Sequence, residues 1–125
     1  MNLLARGAAY LQNQMIRVAS VEIVYVRPGK QPVRGRAIAG QLVTDNENVN
    51  GFVVRSVTRD FTISQTLLTD AGLGKPLRND EIWQRINGVD HVFVVNGDSF
   101  ATGHYEESDT YGVAYRIHTR KDREE

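Results

Sequence analysis

A mainly β fold, a small antiparallel barrel or sandwich of about seven strands behind an N-terminal α-helix, is what this chain of 125 residues predicts. Two observations carry that expectation. Beyond Ser20 apolar and polar residues alternate in runs rich in Val, Ile, Tyr and Phe, the signature of half-buried strands. Turn residues punctuate those runs, above all Pro28-Gly29 and Asn87-Gly88.

The elements follow in order. Over residues 2–19, Leu4, Ala8, Leu11, Met15 and Val18 recur at helical spacing behind Asn2, a suitable N-cap, while Gly7 weakens the helix by about 1 kcal/mol relative to alanine. "VEIVYVR" (21–27) reads as a strand stopped by Pro28-Gly29, and "VRGRAIAGQLV" (33–43) as a second. "TDNENVNG" (44–51) reads as a polar loop and "FVVRSVTRDFTI" (52–63) as a strand. Residues 64–80 are irregular or partly helical, with Gly72, Gly74 and Pro76 as breakers. "EIWQRI" (81–86) and "DHVFVV" (90–95) flank Asn87-Gly88, a two-residue hairpin signal that needs positive φ at both positions. A long polar loop (96–110) leads to a final strand (111–119), in which Tyr111, Val113, Tyr115 and Ile117 alternate with Gly112, Ala114, Arg116 and His118. The expected organisation is one domain: helix 2–19, barrel 20–119 and a solvated charged tail 120–125.

Composition narrows the function. Lys and Arg total 15, as do Asp and Glu, so there is no basic excess to grip nucleic acid tightly. Without cysteine, disulfides, thiolate nucleophiles and Cys-ligated zinc are excluded. The apolar run before Ser20 is short and interrupted by Arg6, unlike a signal peptide, and no stretch approaches the length of a membrane span.

Motifs for chemistry are missing from the pattern. "GLGK" (72–75) lacks the upstream glycine of a phosphate loop, and Pro76 stands where Ser or Thr is needed, so it reads as a connection. His91, His104 and His118 show no metal-ligand spacing. Asp98, Glu106, Glu107 and Asp109 share a loop with Ser99 and His104, but no nucleophile elbow or triad spacing accompanies them. Trp83 reads as a core or interface side chain. Arg34, Arg36, Arg55 and Arg59 are the candidate basic face, provided the strands that carry them pair; its alternatives are a balanced outer surface or one that meets DNA or an acidic partner. No catalytic residue, metal or cofactor is expected.

The order of "RDFTIS" (59–64), "GKPLRNDEI" (74–82), "NGVDHVFVV" (87–95) and "HYEESDTYGVAYRIHTRK" (104–121) resembles the head–tail joining proteins of tailed bacteriophages, the head-completion or stopper family. The matching positions are Asp60, Phe61, Ile63, Pro76, Asp80, Ile82, Gly88, Ser108, Asp109, Gly112, Arg116, Ile117, His118 and Thr119, mostly in the second half of the chain. Asn79 stands where that pattern usually has glycine, and "HYEE" (104–107) replaces a tryptophan-containing stretch.

The resemblance implies a structural virion protein of the neck, made in the bacterial host cytoplasm. It implies a ring of identical barrels, a hexamer, between a portal-bound connector or adaptor and the tail terminator or tail tube. Double-stranded DNA would pass through the channel without sequence-specific contact. The tail terminator, a ring that caps the tail tube, is the alternative role, and a small DNA-binding barrel a more remote one. The candidate interface or channel loops are Asp45, Asn46, Glu47 and Asn48, with Asp98, Ser99, Phe100, His104, Tyr105, Glu106 and Glu107.

Overall fold

The computed structural model describes residues 20–96, 103–107 and 113–125. The predicted helix 2–19 lies outside them, as do Asp98, Ser99 and Phe100 of the predicted loop.

Eight strands and one short helix are present among the described residues: β1 (Val21–Val26), β2 (Val33–Ala39), β3 (Val43–Val49), β4 (Phe52–Ser64), α1 (Gln65–Asp70), β5 (Glu81–Ile86), β6 (Val89–Val95), β7 (Tyr105–Glu107) and β8 (Ala114–Glu124). Their order is β3-β4-β2-β1-β5-β6-β8-β7, and β4 also pairs with β8. That extra ladder closes β4, β2, β1, β5, β6 and β8 into an antiparallel barrel, which leaves β3 and β7 as additions. Closure removes the open edges that a flat sheet would expose.

Inward-facing residues fill the barrel. Ile23 and Tyr25 of β1, Ala37 of β2, Phe61 and Ile63 of β4, Ile82 of β5, Phe93 and Val95 of β6 and Ile117 of β8 form one buried cluster. Phe61 and Phe93 meet edge to face, centroids 5.2 Å apart, near the middle of the barrel. One end is stoppered by α1 and the segment after it, through buried Leu68 and Leu73.

Three sequence expectations are corrected. The polar stretch 44–51 is no loop: Val43–Val49 form β3, whose seven residues pair in register with Phe52–Thr58. Asn50 (φ 51°) and Gly51 (φ 82°) make the same turn as Asn87 (φ 51°) and Gly88 (φ 80°) in the β5–β6 hairpin. A run of Asp45, Asn46, Glu47 and Asn48 disguises the strand because neither face of this ribbon is covered, so nothing selects an apolar alternation.

The second correction concerns the tail. Residues 120–124 are not loose but continue β8, pairing Lys121 with Phe93 and Glu124 with His91. Backbone pairing is indifferent to side-chain charge, and the charges find partners on the outside: Arg123 reaches Glu81 (3.0 Å) and lies over Trp83. Third, the segment 96–110 carries β7, paired with Tyr115–Ile117 of β8.

The long second strand is interrupted rather than continuous. Between Ala39↔Phe61 and Val43↔Thr58, three residues (40–42) face two (59–60), a bulge. Gly40 donates its amide to the Asp60 carbonyl at 2.7 Å, and a Cβ on Gly40 would sit 3.0 Å from that oxygen.

Replacing Phe61 by alanine removes a fully buried ring from the barrel centre. The expected cost is about 3–5 kcal/mol, read as a fall in the urea midpoint with an unchanged slope.

Candidate functional site

At the stoppered end a single carboxylate organises the chain. Asp80 is buried, and its oxygens accept from the Tyr25 hydroxyl (2.5 Å), the Arg27 guanidinium (Nε–Oδ1 3.0 Å, Nη2–Oδ2 2.8 Å) and the Leu77 amide (3.0 Å). Arg27 also donates to the carbonyls of Leu73 (2.8 Å) and Lys75 (2.9 Å). The result ties β1 to the segment between α1 and β5. Burial, then the hydrogen bond and charge of Asp80, push the Tyr25 hydroxyl well above the ordinary tyrosine value, so it stays a donor. Asn79 takes φ 72°, the left-handed conformation that asparagine tolerates.

Along the barrel wall β6 and β7 are two halves of one strand beside β8. The amide of Asn96 donates to the His118 carbonyl (3.0 Å), and the His118 amide donates to the His104 carbonyl (2.9 Å). Asn96 and His104 are therefore both held by the backbone of one residue, His118. His104 is anchored further, with Nε2 2.9 Å from the Pro76 carbonyl and its ring edge-on to Tyr105. Tyr105 packs on Tyr115, and Glu106 lies 3.9 Å from the His118 ring. His118 is buried, its Nδ1 2.9 Å from Asp60, whose other oxygen accepts from Arg116 Nε at 2.8 Å. Of the predicted loop residues, then, His104 and Tyr105 belong to the barrel wall, while Glu107 is exposed.

At the opposite end β3 and the first half of β4 project as a two-stranded arm. The register of β4 with β8 begins at Thr58, so among the described residues Phe52–Val57 pair only with β3, and β3 only with β4. The arm extends about 20 Å past the barrel. Phe52 and Val53 at its tip are 74% and 73% exposed, and Leu42 and Val43 at its root are exposed too. Asp45, Asn46 and Asn48 sit exposed on β3, with Glu47 between them in sequence.

The four arginines read as a basic face are not brought together. β2 and β4 do pair, but the register Ile38↔Thr62 sets Arg34 and Arg36 opposite the far end of β4 from Arg55 and Arg59. Arg34 and Arg36 line a shallow groove on the outer wall with Glu22, Val24, Trp83 and Arg85. Arg55 stands exposed on the arm, whereas Arg59 is half-buried and donates to Gln84 Oε1 at 2.6 Å. Among the described residues there is no group of three or more His, Asp or Glu placed to hold a metal ion. No helix among them is long and apolar enough to cross a membrane.

The model of the phage head-tail joining protein family matches residues 1–125, the whole chain. The chain belongs to that family. No curated protein matches it. As a joining protein it is structural rather than enzymatic, and its family places it at the neck of the virion among phage head and tail proteins. The motif residues of the sequence analysis acquire roles in that light: Asp80 anchors the stoppered end, and Asp60, Arg116 and His118 form one cluster on the wall. What sequence reasoning missed was the arm, although Asn50-Gly51 carries the hairpin signal recognised at Asn87-Gly88.

Asp80→Ala strips the buried Tyr25 hydroxyl of its acceptor and leaves the Arg27 guanidinium only the carbonyls of Leu73 and Lys75, without a counter-ion. The expected loss is about 3–5 kcal/mol, and protease cleavage within residues 71–80 should rise with it, as mass spectrometry of limited digests can check.

Proposed function

We propose that this joining protein is the stopper of the phage neck: copies of the barrel close into a ring, a hexamer, that bridges a portal-bound connector to the tail-side proteins and helps retain packaged DNA. The observation that supports this most is the arm. A two-stranded ribbon with both edges unpaired and its apolar tip in water is marginal on its own. Such a ribbon is suited to pair with a neighbouring chain by edge-to-edge hydrogen bonding, and head-to-tail contacts of that kind close into rings. Asp45, Asn46, Glu47 and Asn48 would then serve as interface residues from a strand rather than a loop.

The second contact region is the stretch between Asn96 and β7, to which Asp98, Ser99 and Phe100, outside the described residues, belong in sequence, together with Glu106 and Glu107 on β7. Its ends are fixed to the wall at His118, so it can contact an adjacent ring or narrow the channel without moving the barrel. DNA passes through such a ring without sequence-specific contacts, in keeping with a net charge of zero.

Particles that lack this protein should show heads that have lost DNA beside complete free tails. Overlong tails instead would assign it to the tail terminator position. A shortened arm provides a finer test. Removing residues 46–49 and 52–55 leaves Asp45 and Ser56 paired across Asn50-Gly51, a complete two-residue hairpin. That chain should melt within a few degrees of the parent yet fail to form rings by mass photometry or to support joining. Normal rings from the shortened chain would exclude the arm as the contact.

A further inference from the structure

The arm has two free edges, and they are not alike. The β3 edge runs "VTDNENV" and the β4 edge "FVVRSV" over Phe52–Val57, neither with a proline, so no backbone donor is missing from either. Among the described residues neither is paired beyond the hairpin itself, and Asp45, Asn46, Asn48, Phe52, Val53 and Arg55 are all exposed. Two acidic residues, Asp45 and Glu47, stand in the β3 sequence. The β4 edge carries a single charge, Arg55, among Phe, Val and Ser.

These charges decide which pairings are open. A two-fold pairing of β3 with β3 of a second copy, centred on Asn46, sets Asp45 opposite Glu47. Centred on Asp45 or on Glu47, it sets that residue opposite itself. Like charges directly opposite are destabilising, so β3 is guarded against its own kind. β3 beside β4 of a second copy meets no such conflict. In the register that the hairpin itself uses, Asp45 faces Ser56 and Asn46 faces Arg55. Direction agrees as well. β3 and β4 are antiparallel within the arm, so where arms of successive copies stand side by side and point the same way, each β4 runs antiparallel to the next β3. Each copy then offers a different edge to either neighbour, which is the condition for a contact that repeats around a ring rather than stopping at a dimer.

We propose that the arms of successive copies pair β4 to β3, so that the ring carries a closed antiparallel annulus with two strands from each copy. This rests on the ring described above and goes further by naming the mate of each edge, a second copy of this chain and not a strand of another neck protein. Directly opposite residues share a face of a sheet, so Asp45 and Phe52 lie on one side of the annulus, and Asn46, Asn48, Val53 and Arg55 on the other. The unpaired edges that make a lone ribbon marginal are abolished by closure.

The chain contains no cysteine, so single cysteines can report which edges meet. Asn46→Cys or Asn48→Cys marks β3, and Val53→Cys or Arg55→Cys marks β4, all at exposed positions on one face. Strand residues directly opposite each other have Cα atoms about 4.5–5.5 Å apart, within disulfide range. Each β3-marked chain is mixed with each β4-marked chain before rings assemble, the rings are oxidised mildly, and covalent dimers are read on a non-reducing gel. The four mixtures cover the hairpin's own register and a shift of two residues either way. At least one should yield dimer roughly tenfold or more above its component chains oxidised alone. Rings that form normally with no such link in any mixture overturn the proposal. So do dimers formed as readily by Asn46→Cys or Asn48→Cys alone, or by Val53→Cys mixed with Arg55→Cys, which report β3 on β3 and β4 on β4. If the parent chain forms no rings by mass photometry, the ring reading itself fails and this pairing with it, a result distinct from rings that do not cross-link.

Discussion

The barrel depends on the carboxylate of Asp80 more than on any other single group. Burying an ionised carboxylate is tolerable only where donors surround it, and here a phenol, a guanidinium and a backbone amide do so from two separate segments. The same guanidinium then satisfies two carbonyls of the irregular segment after α1. Without it, the carbonyl of buried Leu73 would lose its donor. Hydrophobic area fills the barrel, but this polar knot decides which way its end is closed.

Two ends of unlike character follow. The stoppered end is closed by the hydrogen bonds around Asp80 and by apolar packing of Leu68 and Leu73. The other end holds the arm and the last residues of β8. For a protein whose family works between head and tail, this polarity gives the subunit a front and a back before any neighbour arrives. Among the described residues the front carries the strand edges of the arm that no other strand pairs with, and edges of that kind are where an assembly can gain stability.

Much of the architecture was legible in the sequence because the barrel wall obeys the period-two rule wherever one face meets the core. Ile23 and Tyr25, Phe61 and Ile63, and Ile82 show it plainly. The rule fails where burial does not select it. β3 is bare on both faces and reads as polar coil, and the end of β8 is charged because its side chains lie outside while its backbone still pairs. The bulge at 40–42 was illegible for another reason: a one-residue slip is set by the closure of the sheet, not by local composition. The four arginines illustrate the same limit, since their grouping required a register that pairing alone does not give. The family motif, by contrast, was readable without its meaning, which emerged once Asp60, Arg116 and His118 were found in contact.

The double hold at His118 has a bearing on the length of the chain it clasps. One residue of β8, His118, receives the chain as it leaves at Asn96 and again as it returns at His104, so both ends of the intervening stretch are fixed at the same point. Lengthening a loop whose ends are already clasped costs only a slowly growing loss of chain entropy. The length of the stretch between Asn96 and His104 is therefore nearly decoupled from the stability of the hoop of strands that holds its ends.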